Sequence, residues 1–458
     1  MDRTAVGRRV ISGMVAGVAL GLPSALCGAD LLFPPGADPR FHWDSYEAFD
    51  HRYTLDGPPL SIFGPWRGED ARLFQNVLAY FSAASGVSVD YASSETYEQQ
   101  IVIDTQSGSP PDIAILPQPG LIGDLARRGF LVPLGEENRD WLAANYAAGE
   151  SWADLGTYQG PDGALALYGF PYKVELKSLV WYVPDAFADA GYQVPETLED
   201  LRALTERIAA DGATPWCIGL GSGGATGWPA TDWVEDLMLR TAGPKTYDKW
   251  VRGEIPFTDP AVLAAIEAFG WFARTDRFVD GGAMAVGMTD FRDSPAGLFA
   301  APPRCYLHRQ ASFIASYLPE GVRLGRDVDF FYFPAPASDN LGKPVLGSGT
   351  LAVITKDSPT ARAFVEFLKT PIAHEVWMAQ KSFLTPHLGV NPGTYASDAA
   401  RKQGDILLKA TTFRFDGSDL MPGPVGTGAF WTGMVDYVGG ASAGEVAERI
   451  QKVWDEID

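Results

Sequence analysis

From Pro59 onward the chain alternates two hydrophobic rhythms. Short apolar runs at Leu60–Phe63, Val87–Tyr91 and Ile113–Leu116 predict strands. Between the first two, Leu73, Phe74, Val77, Leu78 and Phe81 recur at the spacing of one helical face, in a helix predicted to start at Glu69. Later helix starts are marked by capping residues: Thr197 with Asp200 three positions on, Asp259 before Pro260, and Ser442 with Glu445. The segment 30–58 is aromatic and rich in turn formers and reads as loop. Strand alternating with helix, without internal repeat or low-complexity tract, predicts an α/β fold.

One stretch breaks the pattern. In GFPYKVELKSLVWY (169–182), Val174, Leu176, Leu179 and Val180 predict a strand, yet Lys173, Glu175 and Lys177 recur at every second position. In a strand they share one face. Such a charged face either protects a sheet edge or lines a polar cleft.

The N-terminus reads as an address. Arg3, Arg8 and Arg9 precede an apolar run from Val10 to Leu22, which Pro23 ends. The run is too short for a bilayer span and has the layout of a secretory leader, 1–29, with cleavage expected after Ala29. Lipid attachment at Cys27 is the alternative, with bulky Leu26 against it. The remainder is too long for one ordinary core, so two domains are expected. With 36 basic and 57 acidic residues, the charge argues against nucleic acid and anionic lipid as partners. Beyond the leader only Cys217 and Cys305 remain; in an oxidising compartment they read as one disulfide, or else as two buried thiols.

Catalytic signatures are weak. The five histidines show no metal-binding spacing, no G-x-S-x-G or phosphate-binding loop occurs, and no cofactor is implied. GLGSGG (219–224) matches the dinucleotide pattern but lacks a complete strand–helix–strand setting, so it reads as a flexible loop. A pair of glycosidase carboxylates is not excluded by counting. What recurs is aromatic residues beside polar ones in Gly- and Pro-rich segments: GPWRGED (64–70), TGWPATDW (226–233), PPRCYLHRQ (302–310) and GAFWTG (428–433). A sugar pocket needs this pairing of flat apolar surface and directional hydrogen bonds.

The order of these motifs resembles the bacterial extracellular solute-binding proteins of family 1, the maltose-binding-protein-like receptors of sugar ABC transporters. PLSIFGPWRGED is similar to their first strand and ligand loop, PPDIAILPQPG to the third strand, and PYKVELKSLVWY to the first crossing between lobes. APPRCYLHRQASF, LGSGTLAVI with ARAFVEFLKTP, and DLMPGPVGTGAFWTGM follow in family order. Within the family the chain is most similar to alpha-glucoside-binding proteins.

The resemblance implies a two-lobed periplasmic-binding-protein fold (type II) with hinge crossings and a ligand cleft between lobes. It places the first lobe at 30–172, the second at 173–345, a return to the first at 346–398, and the second again at 399–458. It implies a periplasmic monomer, no enzyme, that binds an alpha-glucoside such as sucrose, trehalose or maltose and hands it to membrane permease subunits. Carried over by motif, Trp66 and Glu69 lie in the first loop, Gln118 follows the third strand, and Lys173 and Glu175 lie on the crossing. Trp431 is the stacking ring, and Arg304 falls where the maltose receptor has Trp. That departure, with Leu116, Pro119 and Gly120 in the third-strand loop, leaves the sugar a class and not maltose itself. Trp228, Asp232, His308 and Arg309 are added from composition and loop placement. A secreted glycoside hydrolase and a sugar sensor without transport are the alternatives.

Overall fold

The computed structural model describes residues 31–94, 97–337, 341–381 and 383–457; the leader lies outside them. A six-stranded sheet forms the first body. Its order is Thr412–Phe415, Pro344–Ile354, Ile113–Leu116, Leu60–Gly64, Val89–Ser93, and Gly169–Leu176 also pairs with the long strand Pro344–Ile354. The first three strands in chain order pair parallel, whereas the long strand runs antiparallel to Ile113–Leu116 and to Gly169–Leu176. Helices cover both faces, so the strands are buried on both sides: Ile113 and Ile115 face one core, Ala114 and Leu116 the other. The helix Gly68–Ser85 buries Leu73, Phe74, Val77, Leu78 and Phe81, the face its spacing predicted.

A smaller antiparallel sheet, His308–Arg309, Leu179–Tyr182 and Asp329–Tyr332, lies in the second body, with a helical core around Trp216, Trp233, Phe269 and Phe430. The caps at Thr197 and Ser442 form full reciprocal boxes, and Asp259 caps the helix Pro260–Ala273. No described helix is long and apolar enough to cross a membrane.

The chain passes between the bodies three times: at Lys177–Ser178, between Tyr332 and Pro344, and after Phe415. Strand Thr412–Phe415, assigned by resemblance to the second lobe, pairs parallel with Pro344–Ile354 at the edge of the large sheet. The last crossing in this structure therefore follows Phe415.

Cys217 and Cys305 form a disulfide, with Cα atoms 5.5 Å apart, and not two free thiols. The GLGSGG segment is no phosphate cradle. Gly221 runs beside Asp290 in a backbone bridge, where an added Cβ would meet the Thr289 carbonyl oxygen at 3.0 Å.

Candidate functional site

The three crossings meet at a buried lysine. Strand Gly169–Leu176 ends one residue before Lys177, so the alternation stops there. Lys173 and Glu175 keep the half-buried face they were expected to share. Lys177 instead turns inward and is 5% exposed. Its ammonium donates to Asp232 Oδ1 at 2.8 Å and to Asp416 Oδ2. Its backbone N–H donates to Leu346 O on the return strand at 2.9 Å. Ser178 Oγ accepts from Leu346 N at 2.9 Å and donates to Asp236 Oδ1 at 3.0 Å. Asp232, Glu235 and Asp236 all project from one helix, Trp228–Thr241, and Asp416 begins the third crossing. One cluster thus ties two of the passages and the long return strand to helix Trp228–Thr241.

Its electrostatics follow from burial. Desolvation opposes the charge on Lys177, but Asp232 and Asp416 outweigh it and hold the ammonium above its ordinary pKa. Burial raises Asp232 to about 7, with Lys177 pulling the other way. Glu235 is pushed up by burial and by Asp416, while its Oε1 accepts from Ser418 N at 3.0 Å. Asp416 is buried too, yet Lys177 and hydrogen bonds from Glu235, Lys177 and Ser418 hold it below the ordinary range. Half-buried Asp419 is raised to about 8 by desolvation and by Asp416. Among the described residues, carboxylate oxygens of Asp232, Glu235 and Asp416 lie within 4.8 Å of one another, a spacing that could suit a metal ion. Here the Lys177 ammonium neutralises two of the three.

An aromatic wall stands directly over this cluster. Trp228, one helical turn before Asp232, has the Lys177 ammonium 5.6 Å from its ring centre. The ring is half-buried and packs on Phe291 and Phe313 at 5.0 and 5.9 Å, with Tyr317 beyond at 5.6 Å from Phe291. The Trp431 backbone lies against the start of this helix. Gly227, at φ +114°, lets its backbone lie against the Trp431 backbone, where any Cβ would collide with the Trp431 carbonyl. Trp431 is half-buried and its indole N–H, shielded from solvent, has no hydrogen-bond partner among the described residues. An unpaired buried donor of this kind is costly unless something else accepts from it. The segment Pro424–Phe430 is a π-helical turn that runs straight into helix Trp431–Val438, with Pro424 tolerated in its first turn. Phe430 lies fully buried against Trp250 and Phe257.

Of the residues singled out from sequence, Trp228, Asp232 and Arg309 are brought together, with the backbone of Trp431 against Gly227 at the start of their helix. Arg309 is buried and donates to Asp232 O at 2.9 Å and Asp236 Oδ2 at 2.8 Å. Lys173 pairs with Glu175, whose other oxygen accepts from Ser312 Oγ at 2.6 Å. Gln118 sits half-buried at the N-cap of helix Pro119–Arg127. That helix approaches the third crossing: a methyl on Gly120 would lie 3.4 Å from Asp419 O. The others are engaged elsewhere. Trp66 is 7% exposed and packs edge-on to Phe74 and Trp377 in the first core. Exposed Glu69 pairs with Arg72, and exposed Arg304 with Asp280. His308 is buried with Nδ1 2.9 Å from Cys217 O, and desolvation lowers it to about 4, so its ring is neutral. A separate cavity of about 860 Å³ opens between Tyr158 of the first lobe and Trp454 of the second. Arg414 stands in it, donating to Asp248 at 2.5 and 2.8 Å and to Ser151 at 3.0 Å.

The sequence matches the profile of the bacterial extracellular solute-binding proteins over residues 67–375. It is 68% identical over 430 residues to the alpha-glucosides-binding periplasmic protein AglE of Rhizobium meliloti (strain 1021), covering 94% of each chain. It is 43% identical over 400 residues to the osmoprotective compounds-binding protein GgtB of Synechocystis sp. (strain ATCC 27184 / PCC 6803 / Kazusa), covering 87% of this chain and 93% of that one. Among solved structures, the bacterial solute receptor AcbH superposes with a TM-score of 0.73 at 19% identity, over 87% of this chain and 99% of that one. At that identity the likeness speaks for the two-lobed fold alone.

Proposed function

Because the chain belongs to the bacterial extracellular solute-binding proteins, we propose that it is the substrate-binding component of an ABC sugar importer, taking up an alpha-linked disaccharide between its lobes. The observation that carries this reading is the 68% identity, over 94% of both chains, to a protein named for binding alpha-glucosides. The site supports it with rings for the C–H faces of a sugar, Trp228 and Trp431, beside hydroxyl acceptors and donors, Asp232 and the free indole N–H. A leader cleaved after Ala29 delivers the protein to the periplasm, where it acts as a monomer and passes its cargo to membrane permease subunits.

Capture without chemistry is the mechanism. Ligand favours the closed arrangement only through contacts made in that arrangement and not in the open one. The crossings at Lys177–Ser178, before Pro344 and after Phe415 are the segments that would bend. Selectivity then rests on hydrogen bonding, since an unpaired hydroxyl-binding group costs about 1–3 kcal/mol while each satisfied neutral bond contributes on the order of 1.

A secreted glycoside hydrolase with a similar aromatic cleft is the alternative reading. Calorimetric titration with sucrose, trehalose and maltose, followed by assay of the same samples for free glucose, separates the two. We expect one sugar to bind and to be recovered intact; glucose release at enzymatic rates would sink the receptor reading.

A further inference from the structure

The cavity of about 860 Å³ between the lobes is lined by none of the residues of the lysine cluster, nor by Trp228 or Trp431. Its volume falls within the range of small-molecule pockets, about 300–1,000 Å³. Both lobes build it. Tyr158 and Gln159, on strand Thr157–Gln159, belong to the first lobe, where Tyr158 packs on the core of Ile122 and Leu125. Val251 and Trp454, the latter on the final helix Ala443–Asp455, belong to the core of the second. Arg414, on the strand that precedes the third crossing, stands between them.

The charges around the cavity decide what it can hold. Five charged side chains line it, and each has an opposite partner. Arg414 Nε and Nη2 donate to the two Asp248 oxygens at 2.5 and 2.8 Å, a pair that joins the lobes. Asp154 faces Arg139 at 3.0 Å, Arg252 faces Glu254 at 2.6 Å, and Arg127 lies 3.7 Å from Asp124. No charge in the lining is left for an ionic ligand to neutralise. What remains is neutral and directional. The Gln159 side chain is exposed, and each Asp248 oxygen that accepts from Arg414 keeps a further lone pair for a hydroxyl donor. Tyr158 and Trp454 add flat apolar surface, one from each lobe. Rings beside such groups suit a molecule with C–H faces and a rim of hydroxyls, and suit neither an anion nor a hydrocarbon.

We propose that this cavity is a second carbohydrate site, which takes a neutral mono- or disaccharide between Tyr158 and Trp454. Gln159 and the Arg414–Asp248 pair are its hydrogen-bonding groups. The site is separate from the rings of Trp228 and Trp431 and stands whether or not the receptor reading does. An occupant touches both lobes, so it favours the arrangement in which those contacts form.

The test is isothermal titration calorimetry with sucrose, trehalose and maltose in turn, carried into the millimolar range. We expect two binding events per chain with at least one of these sugars. Gln159→Trp, which puts a bulky ring into the cavity from an exposed strand position, should remove one event and keep the other. Trp431→Ala should weaken the event that Gln159→Trp keeps. Gln159→Ala, which leaves the cavity open, should weaken the cavity event by about fivefold, the loss of one neutral hydrogen bond. Should Gln159→Trp fail to fold, a crystal of the unaltered protein soaked in the sugar decides, with density expected between Tyr158 and Trp454. No event sensitive to Gln159→Trp with any of the three sugars, or an empty cavity in the soaked crystal, would overturn the proposal. An event sensitive to Trp431→Ala would in that case leave the receptor reading intact. The converse result, an event lost in Gln159→Trp and none sensitive to Trp431→Ala, would keep the cavity site and count against the cleft.

Discussion

Trp431 and Phe430 are chain neighbours on one helical segment, and replacing each with alanine should produce opposite defects. Phe430 is fully buried, with Trp250 and Phe257 edge-on at 5.6 and 5.2 Å. Its removal opens a cavity in the second core and should cost about 3–5 kcal/mol of stability. Trp431 is half-buried, and its indole N–H makes no bond among the described residues that folding would lose. Trp431→Ala should move the melting temperature by no more than about 2 °C. Its effect should fall on binding, where a stacking ring contributes about 1–3 kcal/mol on the scale measured for nucleobases. That corresponds to about 5- to 150-fold in Kd. Calorimetric sugar titrations and melting curves on both variants make the comparison. Normal sugar affinity in Trp431→Ala, or a large drop in its melting temperature as the sole defect, would make Trp431 a packing residue and refute the placement of the sugar.

Three further outcomes are expected. Residues 31–458, unfolded without reductant, should show no reactive thiol, and the double substitution of Cys217 and Cys305 by alanine should lower stability, up to roughly 4–5 kcal/mol in the chain-entropy model for a separation of 88; two titratable thiols would refute it. Lys177→Met removes the cation from a buried cluster and should cost about 3–5 kcal/mol near pH 8. Asp232 and Asp416 would then be favoured in the folded state only when protonated, so the deficit should shrink at pH 5.5, and denaturation curves with equal deficits at both pH values would contradict the cluster's assignment. Gly227→Ala puts a Cβ into the Trp431 carbonyl at a strained φ, so it should lower both melting temperature and sugar affinity, unlike Trp431→Ala; unchanged affinity would show that the contact does not position the ring.

The parts of the fold legible in the sequence are those written in local spacing. The strand at Ile113–Leu116, the apolar face of Gly68–Ser85 and the boxes at Thr197 and Ser442 all depend on residues within a few turns of one another. The lysine-centred cluster does not: Lys177 and Asp416 are 239 positions apart. Even so, a signal was present. Asp232, Glu235 and Asp236 stand at i, i+3 and i+4 in a helix whose remaining positions are mostly apolar, so they share the buried stripe and require a cation. The alternation of Lys173, Glu175 and Lys177 pointed to a cleft face, but nothing local announced that the strand would end at Leu176 and turn the third charge inward. Trp66 illustrates the opposite limit: its motif placed it in a ligand loop, whereas in the structure Phe74 and Trp377 surround it.

The position of the cluster explains why an ionic arrangement is kept where apolar packing would serve stability as well. Buried ion pairs return little net free energy, because desolvation consumes most of the Coulombic gain; separating the partners, however, is expensive. Lys177 and Asp416 belong to two of the crossings, Leu346 to the long strand that follows the other, and Asp232 to the helix that begins at Trp228. A rotation about the crossings that displaced any one strand would strand a charge without its partner. Apolar contacts at the same place would slide at small cost. The cluster therefore acts as a pin, confining bending to rotations that keep Lys177 between Asp232 and Asp416. Trp228, one helical turn before Asp232, has its ring against the same Lys177 ammonium.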